Sequence, residues 1–330
     1  MRATKKRTES TANRILYLNP QQFESKYRDE MAASWGTVVV TGGAGFIGSN
    51  LVRLICSLDL AERIVCLDNY SSGERSKHVS DARVTYVYGN TSDITELLKN
   101  EQPDVVCHFG EFSRIVTSFE KINYVWSSNS LGTQRVLEYC VSKKAKLVYS
   151  GSSSIFGNDE ADANLSPYAF LKKQNIQLIK NYQEWFGLEY AICYFYNVFG
   201  PGDIENGDYA TAIAKFRRQY AAGKPLTVVS PGEQRRVWTH VSDIVAGVIM
   251  VAQRGIGDGY KLASNDDLSI LEVVHLFGRK ATHIVVPERR GERFQSVCGP
   301  SRARTELGWA PKIKLECYVR DFIEHCDEGR

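Results

Sequence analysis

Val38-Val39-Val40-Thr41-Gly42-Gly43-Ala44-Gly45-Phe46-Ile47-Gly48 is the stretch that decides the fold. An apolar, β-branched run enters a glycine-rich turn and then a helix. The glycines fall at Gly42, Gly45 and Gly48. So tight a turn lets main chain approach a pyrophosphate, and the helix start offers free N–H groups and a favourable dipole. Twenty residues past Gly48, a second apolar run, Ile64-Val65-Cys66-Leu67, ends in Asp68. A carboxylate there accepts the hydroxyls of an adenosine ribose and repels a 2′-phosphate. Strand, turn, helix, strand and acid in that order specify NAD rather than NADP.

Outward from this unit, apolar runs alternate with amphipathic stretches. Strands are expected at Thr37–Thr41, Arg63–Asp68, Val84–Tyr88, Asp104–His108, Lys146–Ser150 and Tyr190–Tyr194. Two long helices are expected over Lys121–Ser142 and Ser166–Phe186. Such alternation predicts an α/β fold, a doubly wound parallel (Rossmann) sheet whose ligands bind beyond the carboxyl ends of its strands. From about Gly200 the pattern becomes shorter and richer in glycine and proline, as in a smaller α/β lobe. The expected division is an N-terminal extension over 1–34, partly disordered, and an NAD-binding domain over 35–198 to which 237–265 return. A second lobe then comprises 199–236 and 266–330.

Length and composition agree with this. The 330 residues are 43% hydrophobic and 24% charged, with a net charge of +3, too small to argue for nucleic acid. No apolar run approaches the roughly 20 residues of a membrane span. None of the eight cysteines forms a Cys-x-x-Cys pair, so no metal site is expected, and thiols scattered through apolar runs suggest a reducing, cytoplasmic setting. The polar start, with Lys5-Lys6-Arg7, lacks the apolar core of a secretion signal, and Gln21–Ser34 has the pattern of a helix.

Tyr168 and Lys172 stand four apart, on one helix face. Tyr139/Lys143 and Tyr220/Lys224 share that spacing, so position must discriminate. Only Tyr168 opens a helix that follows a strand ending in serines, Ser150-Gly151-Ser152-Ser153-Ser154. The other two pairs are assigned to packing or solvent. A phenol titrates near pH 10, and a nearby ammonium and a pyridinium both favour the phenolate. It can take a hydroxyl proton while hydride leaves the same carbon, with Ser152 bonded to the same oxygen.

From about Gly36 onward the chain resembles the extended short-chain dehydrogenase/reductases that act on nucleotide sugars, of the UDP-glucose 4-epimerase type. The resemblance rests on Thr41–Gly48, Leu67-Asp68-Asn69-Tyr70-Ser71-Ser72-Gly73, Asn129-Ser130-Leu131-Gly132-Thr133, Ser150-Gly151-Ser152 and Tyr168 with Lys172. It continues through Asn197-Val198-Phe199-Gly200-Pro201, Arg235–Asp243 and Leu307-Gly308-Trp309. It implies catalysis by Ser152, Tyr168 and Lys172. It implies NAD held by Gly42, Gly45, Phe46, Ile47, Gly48, Asp68, Asn69, Asn90, Phe109, Gly110, Asn129, Tyr168 and Lys172. Asn197 and Arg236 would hold the diphosphate of a nucleotide sugar, and Arg289 matches a second arginine near the nucleotide, with Arg290 as its substitute through a one-residue slip. The two long helices match those that form a homodimer in this family.

The serine loop narrows the reaction. Dehydratases of this group carry Asp-Glu after the catalytic residue, and decarboxylases a glutamate nearby. Ser152-Ser153-Ser154-Ile155-Phe156-Gly157 has no carboxylate. That fits 4-epimerisation, and equally a 4-dehydrogenase that releases a 4-keto sugar, for example from a GDP-heptose. Three stretches depart from the resemblance: His108-Phe109-Gly110-Glu111-Phe112-Ser113-Arg114, with Glu111 where a small residue is usual, Asn90 where an aspartate is usual, and Tyr194 where an arginine is common. Glu111 either touches substrate hydroxyls or pairs with Arg114, and His108 is assigned a structural place at the strand end. A regulator that only senses NAD is the non-enzymatic alternative, against which the complete Ser152, Tyr168, Lys172 set argues.

Overall fold

The computed structural model describes residues 34–156, 162–291, 293–295 and 298–328. The expected N-terminal extension and its helix lie outside them, apart from Ser34. Strands β1 (Trp35–Thr41), β2 (Ala61–Asp68), β3 (Val84–Tyr88), β4 (Val105–His108), β5 (Lys146–Ser152) and β6 (Tyr190–Phe195) fall where alternation placed them. Four short strands follow: β7 (Val198–Phe199), β8 (Leu226–Val229), β9 (Arg235–Val237) and β10 (Thr239–His240). Strand β11 (Gly257–Leu262) then rejoins the first six in one parallel sheet, ordered β11-β6-β5-β4-β1-β2-β3. Outside it, β7 pairs with β10, β9 with β12 (Asp267–Ser269) and β8 with β13 (His283–Val286).

Val38, Val39, Val40 and Thr41 are all buried, as a central parallel strand with both faces covered requires. Their side chains alternate between two cores. Val38 and Val40 join helices α1 (Phe46–Ser57) and Val241–Arg254 on one face; Val39 joins helices α2 (Gly132–Lys143) and α3 (Pro167–Phe186) on the other. Register fixes the ligand edge: Thr41 lies between Leu67 of β2 and His108 of β4, and Ser152 lies beside Phe195. A third apolar cluster, with Phe199, Phe216, Trp238, Phe277 and Tyr318, serves the residues after β6.

Two elements differ from the sequence expectation. The run over Lys121–Ser142 is not one α-helix: a short helix (Ile122–Trp126) passes through a π-helical stretch (Ser127–Leu131) into α2. Strand β5 runs two residues past Ser150, because Gly151 lets the backbone pass beneath the Tyr194 ring. A Cβ at Gly151 would stand 2.7 Å from Tyr194 Cδ1. The Tyr194 hydroxyl donates to Asp258 on β11 at 2.6 Å. Helix α3 starts sharply: Ser166 Oγ accepts from the Ala169 N–H at 3.1 Å and Pro167 occupies the first turn.

Candidate active site

The carboxyl ends of β1, β2, β4, β5 and β6 open on one cavity of about 530 Å³. Its floor is the glycine turn. Gly42 has φ +73°, and a Cβ on Gly48 would lie 2.1 Å from the Gly42 carbonyl oxygen. Helix α1 has Gly45 as its N-cap and no side-chain cap, so the first N–H groups, at Phe46 and Ile47 in the lining, are left for a ligand. A side chain at Gly42 would strike the Phe109 main chain and one at Gly48 the turn itself, so only glycine keeps this tight turn, which fits a pyrophosphate.

Asp68 is buried beside it. Its carboxylate accepts the N–H of Ala44 at 2.9 Å and of Tyr70 at 2.8 Å, and Asp68 lines the cavity, so lone pairs remain for ribose hydroxyls. Asn69 and Asn90 also line it, joined by an Asn69 Nδ2 donation to Asn90 Oδ1 at 2.9 Å. Phe109 and Gly110 are held by their N–H groups donating to Thr41 Oγ1 at 3.1 and 3.0 Å. These donors and acceptors suit a dinucleotide.

At the other end, Ser152, Tyr168 and Lys172 line the same cavity. Ser152 comes from the end of β5, and Tyr168 and Lys172 from the first turns of α3. Tyr168 is 8% exposed and Lys172 3%. Lys172 Nζ donates to the Ser150 carbonyl at 2.5 Å and to the Glu111 carboxylate. Ser152 Oγ accepts from the Ser154 N–H at 3.2 Å. The two competing pairs lie elsewhere: Tyr139 donates to the Leu98 carbonyl at 3.1 Å, and Tyr220 packs on Phe277.

Glu111 lines the cavity, and protein donors surround its carboxylate. The side chain is 2% exposed and ion-paired with Lys172, not with Arg114. Oε1 also accepts from Thr133 Oγ1 at 2.8 Å, Asn175 Nδ2 at 2.9 Å and the Tyr149 hydroxyl at 3.1 Å. Burial pushes the Tyr149 phenol well above its ordinary value, which keeps it a donor. Arg114 lines the cavity but donates to the Tyr209 carbonyl, its guanidinium 5.7 Å from the Tyr209 ring centre. His108 is fully buried between Thr41 Oγ1 at 2.7 Å and Thr133 Oγ1 at 3.0 Å, and burial lowers its pKa to about 4.

Asn197 lines the cavity, its amide donating to the Val237 carbonyl at 3.0 Å. Three expected residues stand outside the lining. Asn129 turns back on the loop after β4, exchanging two 2.8 Å hydrogen bonds with the Phe112 main chain. Arg236 is buried and donates to the Arg293 carbonyl at 2.7 Å. Arg289 is exposed, and Arg290 lies over the Phe119 ring at 4.0 Å. Besides Arg114, the lining holds Arg293, buried, ion-paired with Asp162 at 4.0 Å and donating to the Ser153 carbonyl at 2.6 Å. Its sequence signal was weak: it follows the Arg-Arg dipeptide by three residues, in a segment without periodicity. Ser154 was also missed as a lining group; its hydroxyl is buried with no hydrogen-bond partner among the described residues.

Residues 38–263 match the model of the NAD dependent epimerase/dehydratase family. The chain belongs to that family. It is 27% identical over 304 residues to the uncharacterized UDP-glucose epimerase YtcB of Bacillus subtilis, covering 84% of this chain and 94% of that one. It is 27% identical over 325 residues to the dTDP-glucose 4,6-dehydratase of Xanthomonas campestris, covering 86% and 90%. The UDP-glucose 4-epimerase of Thermus thermophilus, solved with NAD, superposes with a TM-score of 0.78 at 24% identity, over 89% of this chain and 100% of that one. This last likeness shows the fold. The family is NAD-dependent, as the glycine turn and Asp68 specified. Among the described residues there is no cluster of metal-ligating side chains and no helix long and apolar enough to cross a membrane.

Proposed function

We propose that this enzyme is an NAD-dependent 4-epimerase of a nucleotide-diphosphate sugar. One observation carries the reading: Ser152, Tyr168 and Lys172 share a cavity with the glycine turn, while positions 153 and 154 are serines. That supplies a proton acceptor and a hydrogen-bond donor at one sugar oxygen. It supplies no free carboxylate on the serine loop for the elimination carried out by a dehydratase.

NAD, when bound against Gly42–Gly48, Asp68, Asn69, Asn90 and Gly110, supplies the two-electron acceptor and donor. Tyr168 takes the proton of the C4 hydroxyl as that carbon is oxidised, and returns it on reduction from the opposite face. Ser152 bonds the same oxygen throughout. Asn197 and Arg293 serve the diphosphate, since a guanidinium fork suits phosphate oxygens. The Ser154 hydroxyl serves a sugar hydroxyl. Residues 199–236 and 266–330 form the nucleotide-sugar lobe. The helical runs 121–142 and 166–186 carry exposed Ile122, Trp126, Leu131 and Phe170, which supports a homodimer through them.

The test is a screen of UDP-, GDP-, ADP- and dTDP-sugars, following C4 configuration by NMR and cofactor absorbance together. Interconversion of two C4 epimers without net cofactor reduction is expected. Stoichiometric NADH with a 4-keto product would make the enzyme a 4-dehydrogenase. Absence of any C4 chemistry would overturn both.

A further inference from the structure

We infer that Glu111 is a positioning residue of this site: it anchors Lys172 and cancels its charge, and so sets the pH at which Tyr168 ionises. The inference rests on the proposed role of Tyr168 as proton acceptor. The carboxylate is reached by donors from three elements. Lys172 and Asn175 come from α3, Thr133 from α2 and Tyr149 from β5.

The hydrogen-bond directions form one consistent chain. Thr41 Oγ1 accepts two main-chain N–H groups, so its own proton goes to His108 Nδ1. Neutral His108 then donates from Nε2 to Thr133 Oγ1, which donates to Glu111 Oε1; the second carboxylate oxygen takes Lys172. The residue just before the glycine turn is thereby tied to the lysine. With Glu111 and the Ser150 carbonyl in place, the Lys172 ammonium is held by protein groups, 4.6 Å from the Tyr149 ring centre.

A buried carboxylate against a buried ammonium leaves little net field for a phenol one turn away. The groups facing the pair are His108 and Tyr149, both neutral, with Tyr168 beyond. Arg114, also in the cavity lining, donates to the neutral Tyr209 carbonyl. In this site Lys172 orients, its charge being met by Glu111.

The experiment measures Tyr168 ionisation directly, by the phenolate absorbance difference between each protein and its Tyr168→Phe counterpart. It needs neither cofactor nor substrate. Glu111→Gln, which leaves the ammonium uncancelled, should move the ionisation to lower pH by about one unit or more, and the acidic limb of kcat/KM with it. Lys172→Met/Glu111→Gln, which removes both charges, should leave it at the parent's pH. An unmoved ionisation in Glu111→Gln, or an upward shift in the double variant, would overturn the inference. Should Glu111→Gln fail to fold, the double variant, which buries no unpaired charge, decides alone. Failure of every nucleotide sugar to react would instead remove the proposed activity and leave the absorbance result standing.

Discussion

Gly48 faces the Gly42 carbonyl so closely that a methyl group between them would lie 2.1 Å from the oxygen. The obstacle is main chain at the tightest point of the turn and cannot swing aside. Gly48→Ala should therefore abolish measurable NAD binding in calorimetric titration and lower stability by about 1–3 kcal/mol. Unchanged NAD affinity would mean that the turn is not the pyrophosphate cradle.

Tyr168→Phe removes one oxygen from a buried ring and leaves the packing in place. Loss of general acid–base catalysis predicts a kcat lower by about 10²–10⁴-fold, with NAD affinity and melting temperature near the parent's. Full activity in the variant would refute Tyr168 as the proton acceptor.

Lys172→Met strands the Glu111 carboxylate without its cation in a dry site. Breaking such a pair costs about 3–5 kcal/mol, readable as a drop in urea midpoint. Adding Glu111→Gln should restore more than half of it. Equal midpoints for parent and single variant would show that the pair carries no energetic weight.

Arg293→Met should weaken binding of a nucleoside diphosphate by about ten- to a hundredfold, the range for a lost charged hydrogen bond. Arg289→Met should have little effect, because Arg289 is exposed and outside the cavity lining. The reverse order would make Arg289 the substrate-binding arginine.

His108 has its pKa lowered from 6.5 to about 4 by burial, so the unfolded chain binds the extra proton first. Its contribution is constant above pH 6.5 and is lost as pH falls from there toward 4, by about 3 kcal/mol in all. Urea melts across that window should show stability falling with pH, and His108→Gln should flatten the slope.

The glycine turn, Asp68 and the six strand positions were legible because each depends on residues adjacent in sequence. A turn glycine or a buried apolar run announces itself locally. The environment of Glu111 was not legible, since its partner Lys172 lies 61 residues away and only the packing of α3 on β5 brings them together. Asn129 was misplaced because a π-helical stretch rotates its side chain toward Phe112, and composition carries no signal for that extra residue per turn. Arg293 was missed because three arginines crowd a loop where no periodicity says which one turns inward.

Positions 151 and 194 are bound to change together. With a tyrosine ring lying over it, position 151 admits no side chain at all, and the ring is itself tied by its hydroxyl to Asp258. A descendant with an arginine at position 194 would forfeit the tether to β11 and leave the strand that ends in Ser152 without the ring that covers it. A change at position 194, which stands outside the cavity lining, would then reach the wall through Gly151 and the serine loop beyond it.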